Sequence, residues 1–225
     1  MRAPTDLETE KKLFQEADSR PKKPTLFLHA CCGPCLTYPL VLLLSHFEVT
    51  VGFFNPNIQP VEEYERRLET LKGFLLSYGE KTGVKVPLVV NEEDFGRYSS
   101  LFKDRATDRE GGKVCLRCHA YRMALAYDYA EKHGFDYFTT VMTVSSKKPS
   151  REINEIGRAL EKSHPRTRYL VSDFKKEDGQ WKGIQMARAY GLYRQEYCGC
   201  LYSLREREEI KKRKAARRPS SSPAQ

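Results

Sequence analysis

The sequence contains no long apolar run. Its strongest apolar stretch, residues 38–44, is far shorter than the roughly 20 residues that a membrane-spanning helix needs. The N-terminal segment MRAPTDLETEKK is polar and lacks the apolar centre of a secretory signal. The mean hydropathy of -0.64 agrees with this pattern. We therefore expect a cytoplasmic protein that does not bind a membrane.

Internal repeats are also absent, and acidic residues are in the minority. The chain of 225 residues has 39 Lys and Arg against 30 Asp and Glu, for a net charge of +9. Residues 205–218 hold eight Lys or Arg and only three Glu. Such a cluster can contact the phosphates of a nucleic acid, or it can be the solvated end of a helix. The sequence alone leaves both interpretations open.

Strand and helix patterns alternate along the middle of the chain. Apolar runs predict strands at residues 25–30, 48–54, 84–90, 136–142 and 168–173. Amphipathic or largely apolar segments predict helices at residues 36–47, 61–82, 115–133, 150–163, 182–192 and 201–216. This alternation is typical of an α/β fold in which a parallel sheet has helices on both faces.

A chain of this length and pattern indicates one domain with two tails. We predict a charged N-terminal leader at residues 1–24, outside the core, and the domain itself at residues 25–204. Residues 205–225 are expected to form a basic helix end followed by a disordered tail, PSSSPAQ.

All seven cysteines fall into three tight groups. The groups are HACCGPC with Cys31, Cys32 and Cys35, KVCLRCH with Cys115 and Cys118, and YCGC with Cys198 and Cys200. A structural disulfide framework fits poorly, because the chain shows no export signal and is long enough for an ordinary core. The grouping therefore indicates metal, cluster or redox chemistry.

The spacings do not select one such chemistry by themselves. Two CxxC pairs would suggest zinc, but only Cys115 and Cys118 have that spacing cleanly. Iron–sulfur clusters also take four thiolates and accept more varied spacing. The radical-SAM pattern fails because its third cysteine would fall at Tyr38. A thioredoxin-like CGPC is present from Cys32, although the preceding Cys31 is unusual for a dithiol exchanger.

The predicted elements place two of the cysteine groups at helix starts. HACCGPC follows the first strand, and CLRC opens the helix predicted at residues 115–133. Ligands of open α/β sheets bind beyond the carboxyl ends of the strands, and helix N-termini favour thiolates. These two groups can therefore meet over one cluster. His29, just before the first group, is interpreted either as a cluster neighbour or as a core histidine with satisfied hydrogen bonds.

Five segments in order resemble one known family, the cobalamin-independent epoxyqueuosine reductases (QueH). They are LFLHACCGPC, FFNPNIQPVEEYERR, CLRCHAYRMALAYDYAEKHGFDYFTTVMTVSSKKP, SDFKKEDG and YRQEYCGCLYS. The resemblance implies a Rossmann-like fold of the HUP type and an oxidoreductase that reduces epoxyqueuosine to queuosine at the wobble position of tRNA. The partners implied are a tRNA with a GUN anticodon and an electron donor that the sequence does not identify.

The resemblance also implies a role for each cysteine. A [4Fe-4S] cluster would be held by Cys31, Cys32, Cys115 and Cys118, and the redox-active pair would be Cys198 and Cys200. An additional iron ion is associated with the family, and Cys35 is the candidate ligand for it. A Cys198–Cys200 disulfide would close a small ring that Gly199 relaxes, so it would stay labile.

Two departures from the family pattern concern substrate contacts rather than cysteines. His119 stands where a tyrosine is common, and Ser145-Ser146-Lys147-Lys148-Pro149 replaces a Ser-Pro-Lys type segment. Tyr193, Arg194 and Gln195 could clamp a nucleotide or simply pack and cap.

Three alternatives remain. A non-enzymatic, zinc-stabilised RNA-binding protein would use the cysteines structurally. A sulfur-transfer enzyme of the same fold would need an SGGxDS-like phosphate loop, which the sequence lacks. A general dithiol oxidoreductase is the third.

Overall fold

The sheet has five parallel strands. A computed structural model of the protein describes residues 4–216. The strands are β1 (Thr25–His29), β2 (Glu48–Phe53), β3 (Leu88–Val90), β4 (Tyr137–Thr140) and β5 (Arg168–Tyr169). They pair in parallel in the order β3-β2-β1-β4-β5. The chain thus starts in the middle of the sheet, builds one edge and then crosses back to build the other.

Eight α-helices accompany the sheet within the described residues. They are α1 (Asp6–Asp18), α2 (Gly33–Leu44), α3 (Val61–Thr82), α4 (Phe95–Leu101), α5 (Lys113–Lys132), α6 (Ser150–Glu161), α7 (Gly179–Ala189) and α8 (Leu201–Ala216). Helix α2 packs on α3 and α7, whereas α5 packs on α6. Right-handed crossovers leaving the central strand in opposite directions place helices on opposite faces. The prediction of a Rossmann-like α/β fold is confirmed.

The core lies around the central strand. Leu26, Phe27 and Leu28 of β1 are fully buried, because a strand covered on both faces has no solvent side. Each such side chain contributes roughly 1.5–3 kcal/mol on burial. Burial therefore holds β1 in place, and the first cysteine group directly follows the end of this strand.

The expected N-terminal leader is not outside the core. Residues 6–18 form α1, which begins with a capping box between Thr5 and Glu8. Leu13 and Ala17, one helical turn apart, are buried in the main core. The high charge of this segment belongs to the exposed face of an amphipathic helix, which explains why composition suggested a separate leader.

No pattern in the sequence predicts an element between β3 and α5. This segment contains α4, whose first turn is capped by the Asp94 side chain accepting from the Arg97 N–H, and a short 3-10 helix, Lys103–Thr107. The strands predicted at residues 84–90, 136–142 and 168–173 are shorter in the structure.

The C-terminal helix begins at Leu201, as predicted, and is helical through Ala216, where the described residues end. The tail predicted to be disordered lies, from residue 217 onward, outside the described residues. No helix of the part that the structure describes is long and apolar enough to cross a bilayer.

Candidate metal and redox site

The first cysteine group lies where β1 meets α2. Cys31 and Cys32 are buried, and Cys32 is the residue before α2, so that Cys35 falls in the first helical turn. The ligand sulfur atoms of Cys31, Cys32 and Cys35 all lie within 4.8 Å of one another. Gln195 donates a hydrogen bond from Nε2 to the Cys32 Sγ over 3.0 Å. Three thiols this close can hold a metal ion.

The second cysteine group opens α5. The Gly111 N–H donates to the Cys115 Sγ over 3.4 Å, and the Tyr98 hydroxyl donates to the Cys118 Sγ over 3.2 Å. Cys118 is buried and Cys115 is half-buried. Donors that point at sulfur favour a thiolate, because they stabilise its charge.

The third cysteine group lies just before α8. Cys198 is half-buried and Cys200 is buried, and Cys200 contacts the Ser203 hydroxyl at 3.5 Å. Gly199 between them has a φ of +148°, a conformation that few residues with a side chain adopt. All seven cysteines are free thiols in this structure.

Two adjoining cavities connect the three groups. The larger, of about 250 Å³, is lined by Cys31, Cys35, Cys115 and Cys198. The smaller, of about 20 Å³, is lined by Cys115, Cys118, Cys198 and Cys200. Cys115 and Cys198 border both cavities, so thiols that are distant in sequence surround two neighbouring spaces. Cys32 joins them through Cys31, whose sulfur lies 4.0 Å from its own.

Proximity splits the proton affinities of these thiols. Hydrogen bonds from the Cys32 and Cys35 thiols lower the pKa of Cys31, which becomes the thiolate of the group. The same contact with Cys31, followed by burial, raises the pKa of Cys32. Burial raises the pKa of Cys118 to about 12. A bound cation would reverse these upward shifts, because a coordinated thiol loses its proton.

Buried cationic side chains lie near the same thiols. Arg122 is 1% exposed and donates to the Asn55 Oδ1 over 2.5 Å. Its Nε has no partner among the described residues, nor do the Arg105 Nε and Nη1 or the His119 Nδ1. Buried donors without acceptors cost free energy unless something satisfies them. A negatively charged, sulfur-rich group held by the thiols fits this set of unpaired donors.

The two histidines near the cysteines are different in their surroundings. His29 has both ring nitrogens in contact with oxygens, Thr140 Oγ1 at 2.9 Å and the Phe54 carbonyl at 3.1 Å. Burial lowers its pKa to about 3, so the ring is neutral. His29 therefore fits the second interpretation, a core histidine whose hydrogen bonds are satisfied. His119 instead lines both cavities with an unpaired nitrogen.

The larger cavity also has polar walls. Lys148 lies beside the thiols, and although burial opposes its charge, the thiols of Cys198, Cys31 and Cys35 raise its pKa. The exposed Arg194 lines the same cavity. Tyr193 does not, since its ring lies under Arg66 at 4.0 Å and its hydroxyl donates to Glu63.

Sequence reasoning missed Tyr98, Arg105 and Arg122. Tyr98 and Arg105 lie in the segment that was assigned no element, so no pattern placed them near a cysteine. Arg122 had a signal, because it follows Cys115 and Cys118 by seven and four residues on one helix and so shares their face.

Comparison with known proteins identifies the family. A family model described as epoxyqueuosine reductase QueH matches residues 26–206. The chain is 37% identical to the epoxyqueuosine reductase QueH of Streptococcus pyogenes serotype M1, over 80% of this chain and 71% of that protein. It is 35% identical to the Staphylococcus aureus (strain Mu50) protein of the same name, over 86% of this chain and 81% of that protein. Identity to the Thermotoga maritima relative is 31%, over 82% and 93%. The cysteine-lined cavities therefore lie inside the matched region, and the chain belongs to the epoxyqueuosine reductase QueH family.

Proposed function

We propose that this protein reduces epoxyqueuosine to queuosine at the wobble position of a tRNA with a GUN anticodon. The observation that supports this most is that three cysteine groups meet around two neighbouring cavities. The relatives of the chain are named for this reaction. Its place would be the cytosol, where thiols are kept reduced and available as metal ligands.

In this proposal the cysteines divide into three roles. Cys31, Cys32, Cys115 and Cys118 hold a [4Fe-4S] cluster, and Cys35 holds an additional iron ion. Each thiolate of such a cluster binds a different iron, so the four ligands need not lie as close as the ligands of one ion. The unpaired donors of Arg105, Arg122 and His119 support an anionic occupant. When bound, these groups supply single electrons and a Lewis acid.

The Cys198–Cys200 pair is proposed as the two-electron donor to the epoxide. Two thiols become one disulfide, releasing two electrons and two protons, and the epoxide takes them up to give an alkene and water. An external reductant then returns the disulfide to the dithiol. Lys148, a cationic donor in the same cavity, can hydrogen-bond to an oxygen that gains negative charge.

The cavity sets how the substrate enters. A wobble base reaches a walled cavity of about 250 Å³ only when it leaves its stack. Lys147 and Arg194 are exposed and line the same cavity. Their charge matches the phosphates on either side of an extruded nucleotide.

The first test is the iron, acid-labile sulfide and zinc content of protein purified without oxygen. We expect about four sulfides per chain, as one [4Fe-4S] cluster requires, and iron in excess of sulfide. Zinc alone, with no sulfide after anaerobic reconstitution, would instead support a structural zinc site of Cys31, Cys32 and Cys35. The protein would then be the zinc-stabilised RNA-binding alternative.

Two cysteine variants separate the roles. Cys118→Ser is expected to lose iron and sulfide, whereas Cys200→Ser keeps both and fails to turn over epoxyqueuosine tRNA repeatedly. Lys72→Ala, which removes a surface ion pair with Glu69, is the control and retains both metal and turnover. A Cys200→Ser variant that turns over at the parent rate refutes the redox pair.

A further inference from the structure

The backbone of the third cysteine group is held from one side by α3 and the loop before it. Three successive carbonyls accept hydrogen bonds there. The Arg67 Nη2 donates to the Tyr197 carbonyl over 3.1 Å, and the Arg67 Nη1 donates to the Cys198 carbonyl over 2.9 Å. The Gln59 N–H donates to the Gly199 carbonyl over 2.9 Å. The segment that links the two thiols is therefore fixed at each of its peptide groups.

Arg67 is itself held in one orientation. Its Nε donates to the Glu63 Oε1 over 2.7 Å, and the two side chains are only 1% and 10% exposed. The second oxygen of Glu63 accepts from the Tyr193 hydroxyl over 2.9 Å. The guanidinium also lies 5.2 Å from the Tyr197 ring centre. A planar guanidinium can bind a carboxylate and two carbonyls at once, whereas a lysine ammonium cannot present this fork of donors.

We propose that Arg67 is a positioning residue for the Cys198–Cys200 pair. By binding the carbonyls of Tyr197 and Cys198, it keeps the segment in the one backbone conformation from which the two thiols close to a disulfide and reopen. This inference rests on the redox role proposed above for the pair. Arg67 is not a catalytic residue, because the contacts it makes to this segment are with backbone oxygens and a tyrosine ring.

The consequence is measurable without metal or substrate. Glutathione disulfide oxidises the pair in a balanced exchange, in which two protein thiols and one glutathione disulfide give one protein disulfide and two glutathione thiols. The equilibrium constant is the effective molarity of one thiol toward the other. Fixing the backbone raises this constant, because the entropy of bringing the thiols together has already been lost on folding.

The tryptic peptide 195–205 makes the assay specific in the full chain. Trypsin cleaves after Arg194 and Arg205, and the peptide between them contains Cys198 and Cys200 and no other cysteine. Metal-free protein is equilibrated with glutathione buffers, quenched with acid and alkylated. Mass spectrometry then gives the disulfide fraction of this peptide.

We expect Arg67→Lys to lower the effective molarity at least tenfold. A tenfold change corresponds to about 30 mV in the potential of this two-electron couple. Glu63→Gln, which keeps an oxygen acceptor for Arg67, is expected to change it less than threefold. Arg158→Lys is the matched control, because Arg158 on α6 forms an ion pair with Asp6 on α1. This variant is expected to leave the effective molarity unchanged. Arg67→Met serves as a second variant, with the same loss expected if Arg67→Lys unfolds.

The outcomes distinguish the two proposals. A wild-type peptide that never forms the disulfide refutes the redox pair, and the role of Arg67 falls with it. A wild-type peptide that oxidises normally, with Arg67→Lys or Arg67→Met within twofold of it, refutes the positioning role alone. An increase in either variant also overturns it.

Discussion

Gly199→Ala tests how tightly the segment between Cys198 and Cys200 is packed. A Cβ added at Gly199 would lie 2.6 Å from the Asn57 Nδ2, 3.1 Å from the Ile58 Cγ1 and 3.5 Å from the Arg67 Nη1. The first of these distances is shorter than any real Cβ contact, so the Asn57 side chain must move. Asn57 is 1% exposed, so it has no open solvent to move into.

The expected cost has two parts. An alanine held at a φ of +148° loses about 1–3 kcal/mol as backbone strain. Forcing an extra methyl into a packed site costs a further 1–3 kcal/mol or so. We therefore expect Gly199→Ala to lower the free energy of unfolding by about 2–6 kcal/mol, the sum of the two parts.

Gly73→Ala is the matched control. It makes the same chemical change in the middle of α3, where the added Cβ would meet no atom within 4 Å. Alanine is the better helix former by about 1 kcal/mol, so this variant is expected to be more stable than the wild type. The same substitution is thus expected to lower the free energy of unfolding at Gly199 and to raise it at Gly73.

Urea unfolding of the reduced, metal-free chain, followed by circular dichroism, measures both variants. A free energy of unfolding for Gly199→Ala within about 0.5 kcal/mol of the wild type would refute the reasoning, because this is the usual range of neutral surface substitutions. It would show that the segment repacks freely and is not held by its neighbours. The Gly73→Ala result confirms in the same experiment that the assay resolves changes of this size.

The remaining predictions concern the cluster, pH and tRNA. Tyr98→Phe removes the hydroxyl on the Cys118 Sγ, so iron is expected to be lost to a chelator about 10-fold faster, as is usual when a ligand loses its hydrogen-bond partner; an unchanged rate would refute this. Burial, and then the charge of Asp173, raise the pKa of Glu10 to about 8. The protonated carboxyl therefore contributes its full share to the stability of the fold below pH 4.5, and this share is lost as the pH rises through 8. Glu10→Gln is expected to stabilise the fold by about 2–4 kcal/mol at pH 8 and little at pH 4.5 in urea unfolding, and equal effects at both pH values would contradict this. Replacing Lys211 and Lys212 of α8 with Gln is expected to lower the salt dependence of tRNA binding by about one counterion per lost phosphate contact, without changing iron content; an identical slope would show that α8 does not contact phosphates.

The sequence was a good guide to regular elements and to the cysteines. The bounds predicted for α3 and the start predicted for α8 agree with the structure, because both are amphipathic or charged helices. The first thiol group was placed correctly at the end of β1, since a short apolar run leading into CCGPC has few other interpretations. Periodicity and motif spacing are local signals, and these features are local.

Contacts across the fold could not be read in the same way. Nothing in the sequence around Tyr98 indicates that its hydroxyl meets Cys118, twenty residues away in a helix that packs against it. Likewise, the position of Arg67 after the NPNIQP turn permits either a substrate contact or a solvated helix charge, and only the fold shows it bound to the carbonyls of Tyr197 and Cys198. Such roles depend on which residues the topology brings together, which no local pattern encodes.

The buried cations give an independent argument about the charge of the site. Arg67, Arg105 and Arg122 are each at most 2% exposed, and the thiols of the site act on the pKa of all three. Arg67 and Arg105 have carboxylate partners in Glu63 and Glu206, but no carboxylate pairs with Arg122 among the residues the structure describes. An uncompensated buried charge costs several kcal/mol, and the groups that act on Arg122 are the Glu93 carboxyl and the thiols of Cys118 and Cys31. A metal ion or cluster would turn more of these cysteines into thiolates and so add negative charge beside Arg122.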